Sequence, residues 1–292
     1  MRIVFIGAVL FSRRLLTALI ESGAEVVGVI CKPSSTVHAD FARLDDIADK
    51  AGIPVYHTKT LNSDGARAWV ASRLPDVIFC FGWSELIGPE LRSMPRLGVV
   101  GYHPTMLPLH RGRHPIIWAL VHGLNETGST FFLMDDGVDS GPILHQRKVA
   151  IGPDMDASRL YERLADTAAE QVVDLWKGLA DGSLKGAEQD HTRATYWPKR
   201  GEADGVIDWN SSADDIYNLI RALAKPYPGA TFHHKGQKVT VWASRIDRGR
   251  PVQEPPGTVI DVGARGVVVS TRDGAIEITK FDGPALRVGD QL

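Results

Sequence analysis

Cysteine is scarce. Cys31 and Cys80 are the only two in 292 residues, and both lie inside apolar runs. Two thiols exclude a disulfide framework and a four-cysteine zinc site, and they fit a chain expected in a reducing cytoplasm. Charge of either sign is not in surplus either: 33 Lys and Arg stand against 35 Asp and Glu, a net of −2. Hydrophobic residues at 43% and charged residues at 23% match ordinary globular usage, which excludes a disordered or low-complexity chain. No apolar stretch approaches the ~20 residues needed to span a bilayer, so no membrane partner is expected. The N-terminal MRIVFIGAVLF lacks a small-residue cleavage site and continues into Ser12-Arg13-Arg14. It reads as a first core strand rather than a signal peptide.

Familiar cofactor signatures are missing as well. The first strand is followed by Gly7-Ala8-Val9-Leu10-Phe11-Ser12, which is neither the G-x-G-x-x-G of a dinucleotide site nor a P-loop. There is no H-E-x-x-H. His110 and His114 are four apart, but Pro115 disfavours a helix through them, so no metal is expected there.

What is present is alternation. Ile3–Ile6 and Val26–Ile30 are short β-branched runs, and Leu15, Leu16, Leu19 and Ile20 lie between them at helical spacing. Strand, helix, strand within about 30 residues is a βαβ unit and implies a parallel sheet. The pattern continues through helices near 44–51, 66–74, 89–94 and 115–122 and strands near 54–57, 77–81, 98–102, 129–134 and 143–149. A long helix at 157–180 follows. The expected architecture is α/β and doubly wound. After about residue 190 the style changes to one helix, 213–224, and five short β runs separated by turn residues. These suggest a small, mostly-β, OB-like domain. The expected domains are 1–195 and 196–292.

Polar and Gly/Pro signals concentrate in two places, Gly98–Arg113 and Phe131–Gly141. Each begins at the C-terminal end of a strand, where open α/β sheets place their ligands. If the two strands are neighbours, His103 and Asp139 converge, and a histidine beside a carboxylate suits proton transfer and stabilisation of developing charge. The alternative is a loop-capping histidine and a turn aspartate before Gly141. Arg111 and Arg113 offer guanidinium forks for an anionic substrate group, or are solvated loop charges.

The segment H-P-x-x-L-P-x-x-R-G from His103, with Asp139-Ser140-Gly141 some thirty residues on, resembles the 10-formyltetrahydrofolate-dependent formyltransferase family. Phe79-Cys80-Phe81-Gly82-Trp83 is similar to the family's folate-pocket strand and loop. Asp204-Gly205-x-Ile207-Asp208-Trp209 and Asn218–Ala222 are similar to the start of its second domain. The resemblance implies a Rossmann-like catalytic domain and transfer of a formyl group from 10-formyltetrahydrofolate to a primary amine, without a metal. It implies folate contacts at Phe81, Gly82, Trp83, Leu86 and Asp135 and a substrate contact at Tyr102. His103 takes the place of the catalytic histidine and Asp139 that of the catalytic carboxylate. One position departs: the family's Asn-x-His has Gly101 at the Asn. A glycine supplies no amide donor, so a water, a shifted backbone N–H or the substrate is expected in that space.

Two stretches bear on the acceptor. Residues 32–48 hold two basic and three acidic residues, and residues 204–292 hold 11 of each. Neither resembles a surface for a polyanion, since phosphate contacts need Lys and Arg clusters. Lys225–Ala230 resembles the nucleotide-sugar branch. A nucleotide-linked amino sugar, as used for cell-surface polysaccharide, is therefore the expected partner. Methionyl-tRNA and a binding relative without turnover are the alternatives. A homodimer is left open.

Overall fold

The computed structural model describes residues 1–34 and 40–292. Residues 35–39, part of the 32–48 stretch, lie outside the described residues. The alternation is realised as β1 (Ile3–Ile6), α1 (Leu10–Glu21), β2 (Val26–Cys31), α2 (Asp45–Lys50), β3 (Val55–His57), α3 (Asp64–Arg73), β4 (Val77–Cys80), α4 (Pro89–Arg92) and β5 (Val99–His103). Then come β6 (Arg111–Gly112), α5 (Pro115–Val121), β7 (Glu126–Leu133), β8 (Ile143–Ala150), α6 (Ala157–Asp181) and β9 (Tyr196–Trp197). The remainder is α7 (Ala213–Ala222), β10 (Ala230–His234), β11 (Gln237–Asp247), β12 (Val259–Gly263), β13 (Gly266–Ser270) and β14 (Ala275–Asp282).

Seven strands form the first sheet in the order β3-β2-β1-β4-β5-β7-β8. Every residue of β1 is fully buried, as expected where helices cover both faces of a sheet. Helix α1 buries Phe11, Leu15, Leu16 and Leu19, a stripe at i, i+4, i+5 and i+8. Burying each such side chain contributes roughly 1.5–3 kcal/mol. The order reverses at β1, which lies between β2 and β4, and that switch point opens a crevice at the strands' carboxyl ends.

The sheet is not parallel throughout. β5 and β7 are antiparallel, with Gly101 opposite Phe132 and His103 opposite Thr130. This reversal places the second polar segment beside the first. Glycine makes the pairing close: a Cβ on Gly128 would lie 2.3 Å from the Thr105 carbonyl oxygen. The Thr130 hydroxyl then donates to that same oxygen at 2.6 Å.

Packing divides the chain into two compact units, each discontinuous in sequence. One comprises Met1–Gly112, Thr127–Val149 and Glu162–Trp197; the other comprises Arg113–Glu126, Ala150–Tyr161 and Pro198–Leu292. The expected boundary at 195/196 differs on two counts. Tyr196 and Trp197 stay with the first unit by pairing with Arg111 and Gly112, and two earlier segments pack with the second.

The second unit carries a five-stranded antiparallel sheet, β10-β11-β14-β13-β12. Helix α7 packs on β11, and α5 packs on α7. Arg221 of α7 is 8% exposed. Its Nε donates to Asn218 at 2.8 Å, and Nη1 donates to the carbonyls of Gly152, Pro153 and Met155 at 3.0–3.3 Å. One guanidinium thus fastens the 150–161 segment to α7. Arg221→Met should lower the stability of this unit by about 1–3 kcal/mol, because part-buried carbonyls lose charge-assisted donors. A urea midpoint shifted without a change in m checks this.

Candidate active site

The second polar segment is a turn built by its own motif, Asp135-x-Gly137-x-Asp139-Ser140-Gly141. Asp135 Oδ1 accepts from the Gly137 amide at 3.0 Å and from the Ser140 hydroxyl at 2.7 Å. A Cβ on Gly141 would sit 1.8 Å from the Leu133 carbonyl oxygen, so no other residue fits. Between them Asp139 has φ of +50°, a conformation that costs a non-glycine residue energy and is held by its surroundings.

Those surroundings are specific. Asp139 Oδ2 accepts from the Gly112 amide at 2.9 Å. Gly112 itself has φ of +107°, and a Cβ there would meet the Trp197 carbonyl oxygen at 2.4 Å. The Asp139 and Gly141 carbonyls both accept from Gln189 Nε2, at 2.9 and 2.7 Å. Gln189 Oε1 in turn accepts from Arg111 Nη2 at 2.7 Å. Gln189 lies 50 residues from Asp139, and no motif signals it in the sequence.

His103 ends β5 and is 5% exposed. Its Nε2 lies 2.8 Å from the His110 carbonyl oxygen. A carbonyl only accepts, so Nε2 carries the proton. Nδ1 therefore faces Asp139 Oδ2, at 3.5 Å, as a lone pair when the ring is neutral and as a second donor when it is protonated. The loop between is rigid: Thr105 donates to the Leu109 carbonyl at 2.9 Å, and Gln146 donates to the Leu107 carbonyl at 3.0 Å. The structure thus brings His103 and Asp139 together.

Other expected contacts fall elsewhere. Tyr102 alternates to the opposite face from His103. Its ring packs on Phe11 and Phe131, and its hydroxyl bonds to Ser129 at 3.0 Å. Burial pushes this phenol's pKa upward, so Tyr102 is a packing residue rather than a substrate contact. Phe81 is fully buried against Phe5, Phe79 and Phe131, which removes it from any pterin face. Arg111 is 1% exposed. It meets Gln189, the Tyr196 hydroxyl at 3.0 Å and His191 Nδ1 at 3.2 Å, none of them a carboxylate. Its fork is turned inward, so Arg111 positions the Asp139 turn instead of gripping a substrate anion. Arg113 is exposed.

The loop after β4 is better placed for a ligand. Gly82 has φ of +68°, and a Cβ there would strike Val9 Cγ2 at 2.2 Å. Trp83 is half-buried, with Lys32 Nζ 4.7 Å from its ring centre. Leu86 is 83% exposed, an apolar side chain presented on a firm loop. The firmness comes from Glu85. Burial opposes its charge, but donors from Thr60, Leu61, Trp83 and Asn62 outweigh that and hold its carboxyl below the usual range. Asp135, committed to its own turn, is also exposed.

Gly101 requires a correction. The space a side chain would use is not open: a Cβ there would meet Met134 Cε at 2.8 Å and the Phe132 ring at 3.0 and 3.1 Å. The cross-strand ring and the methionine cover the glycine. Apolar atoms stand where a side chain at this position would begin.

A strand-end histidine facing a rigidly held carboxylate, on a doubly wound sheet, is an arrangement suited to moving protons. Residues 1–175 match the family described as formyl transferase, and residues 200–285 match the formyl transferase C-terminal domain; the chain belongs to the formyltransferase family. A methionyl-tRNA formyltransferase of Roseiflexus sp. (strain RS-1) is 35% identical over 283 residues, 95% of this chain and 86% of the relative. Two solved structures share the fold. HypX from Aquifex aeolicus in complex with tetrahydrofolic acid has a TM-score of 0.70 at 21% identity, covering 96% of this chain and 44% of that one. An N-formyltransferase from Helicobacter canadensis, in complex with folinic acid and dTDP-3-aminofucose, has a TM-score of 0.70 at 15% identity, covering 95% and 98%.

Two outcomes test this geometry. Gly101→Ala and Gly101→Asn should each destabilise the protein by about 1–3 kcal/mol, as overpacking does, and neither should raise turnover. Adding Met134→Ala to Gly101→Asn should recover stability and then raise kcat, measured against Met134→Ala alone. Gln189→Glu keeps an acceptor for Arg111 but removes both donations to the Asp139 turn. Its kcat should fall by about 10², the usual cost of a displaced catalytic group, and the unfolding midpoint should fall with it, because two carbonyls lose their donor.

Proposed function

We propose that this formyltransferase moves the formyl group of 10-formyltetrahydrofolate to the primary amine of a nucleotide-linked amino sugar, in cytoplasm, for cell-surface polysaccharide. The observation that carries the chemistry is the facing of His103 Nδ1 and Asp139 Oδ2 at 3.5 Å. The folate supplies an activated formyl carbon. When the amine attacks it, negative charge develops on the formyl oxygen and positive charge on the nitrogen. The Asp139 carboxylate, fixed by the Gly112 amide, takes the amine proton. Protonated His103 donates to the oxyanion, and Nε2 anchored on the His110 carbonyl keeps the ring oriented. With an apolar lid over Gly101, His103 carries the donor role without an amide neighbour. Collapse of the adduct re-forms the formyl carbonyl and breaks its bond to the folate nitrogen, which takes up the proton that Asp139 received from the amine, returning both side chains to their starting state. Exposed Leu86 and half-buried Trp83 suit one face of the pterin.

Charge distribution supports a sugar acceptor: residues 204–292 are neutral overall and residues 32–48 carry a net −1. The resemblance of Lys225–Ala230 to the sugar branch points the same way. Identities of 31–35% to methionyl-tRNA formyltransferases favour tRNA as the second reading.

The purified protein, given 10-formyltetrahydrofolate and a panel of UDP- and dTDP-linked amino sugars, should yield an N-formyl product by mass spectrometry. Methionyl-tRNA formylated with no sugar product would establish the second reading. Folate affinity without any product would make the chain a binding relative. His103→Ala should lower kcat by about 10²–10³, as loss of one oxyanion donor does. Combined with Asp139→Asn the loss should fall well short of the product of the two, because the residues act as a unit.

A further inference from the structure

At the far edge of the first sheet, away from His103, three metal-binding side chains meet. Cys31 ends β2, His57 ends β3, and the two are register partners in the parallel ladder. Asp45 is the first residue of α2. Cys31 Sγ lies 3.4 Å from His57 Nδ1, and His57 Nε2 lies 2.7 Å from Asp45 Oδ1. One ligand atom from each lies within 4.8 Å of the others. The sulfur is buried, while the His57 side chain is 38% exposed, which leaves an approach from solvent.

We infer that Cys31, Asp45 and His57 form a site for a thiophilic divalent cation, Zn2+ in the first instance. Bond lengths of about 2.0–2.3 Å to S, N and O ligands put tetrahedral ligand atoms roughly 3.3–3.6 Å apart. The Sγ–Nδ1 pair already has that spacing. The rest of the coordination needs Asp45 Oδ1 to leave Nε2 and close on the ion, one ligand atom from each residue now lying within 4.8 Å of the others, while Oδ2 stays on Arg43 Nε, where it lies at 3.1 Å. A water fills the fourth place. Thiolate and imidazole select Zn2+ over Mg2+ or Ca2+. Without an ion the thiol keeps its proton, since burial and the Asp45 charge push it up to about 11. The Arg43 hydrogen bond holds the Asp45 carboxyl below its usual range, so it is ionised.

The ion would be structural. Sheet order separates β2 from β5 by three strand spacings, about 14 Å, too far to act on the formyl carbon. It would pin the N-terminus of α2 to the ends of β2 and β3. The inference is independent of the acceptor and of turnover.

The full-length protein, dialysed free of metal, is titrated with Zn2+ and Co2+. We expect one equivalent bound and a sulfur-to-cobalt charge-transfer band with the visible spectrum of a tetrahedral ion. Cys31→Ser should abolish the band. His57→Gln should weaken binding at least about tenfold, since loss of an outer-shell partner alone costs 10–100-fold. The ion should raise the unfolding temperature and leave kcat unchanged. No saturable equivalent, a band that survives Cys31→Ser, or an ion-dependent kcat would each overturn the assignment. If Cys31→Ser does not fold, the wild-type band and slowed alkylation of Cys31 on adding Zn2+ decide it. Their absence is then equally decisive against it.

Discussion

The contact on which the site depends is the hydrogen bond from the Gly112 amide to the Asp139 carboxylate. It joins the end of the histidine loop to the turn after β7, and it exists because two glycines let backbone approach where a side chain is forbidden. Gly112 presses on the Trp197 carbonyl and Gly141 on that of Leu133. The left-handed backbone of Asp139 is sustained by these neighbours and by Gln189, whose amide nitrogen holds the carbonyls on either side of Ser140. A carboxylate fixed in this way needs little reorganisation when a proton arrives, which is what electrostatic preorganisation requires.

The same economy appears at His103. Its ring is oriented by a main-chain carbonyl, leaving the other nitrogen for chemistry. The neighbouring glycine gives its space to Phe132 and Met134, so the environment of the histidine is drier on that side. A drier setting strengthens each remaining electrostatic interaction, which offsets in part the missing amide.

Much of the fold is legible because its signals are local. Strands buried on both faces read as unbroken apolar runs such as Val77–Cys80, and α1 shows its buried stripe at helical spacing. His103 and Asp139 are legible because each sits at the end of such a run beside Gly and Pro. What escapes is non-local. Nothing in 99–134 announces that β7 runs antiparallel to β5, and two-residue partners such as Arg111–Gly112 and Tyr196–Trp197 are too short for a periodic pattern. Tyr102 and Phe81 were expected at ligands because a polar tip or an aromatic ring looks the same in sequence whether it faces a crevice or a core. Gln189 and the inward turn of Arg111 depend on each other across 78 residues, so neither is visible alone.

The interleaving of the two packing units has a consequence for anyone who divides the gene. The chain passes between units at 112/113, 126/127, 149/150, 161/162 and 197/198. A stop codon at residue 195 would strand α5 without α7, which it packs against, and leave Gly152, Pro153 and Met155 without the guanidinium that ties them down. A downstream fragment expressed by itself would have α7 with an uncovered apolar flank. Halves supplied as separate polypeptides should therefore be mutually dependent for solubility, and the natural places to split or circularly permute this enzyme are loop tips within one unit rather than the linker between motifs.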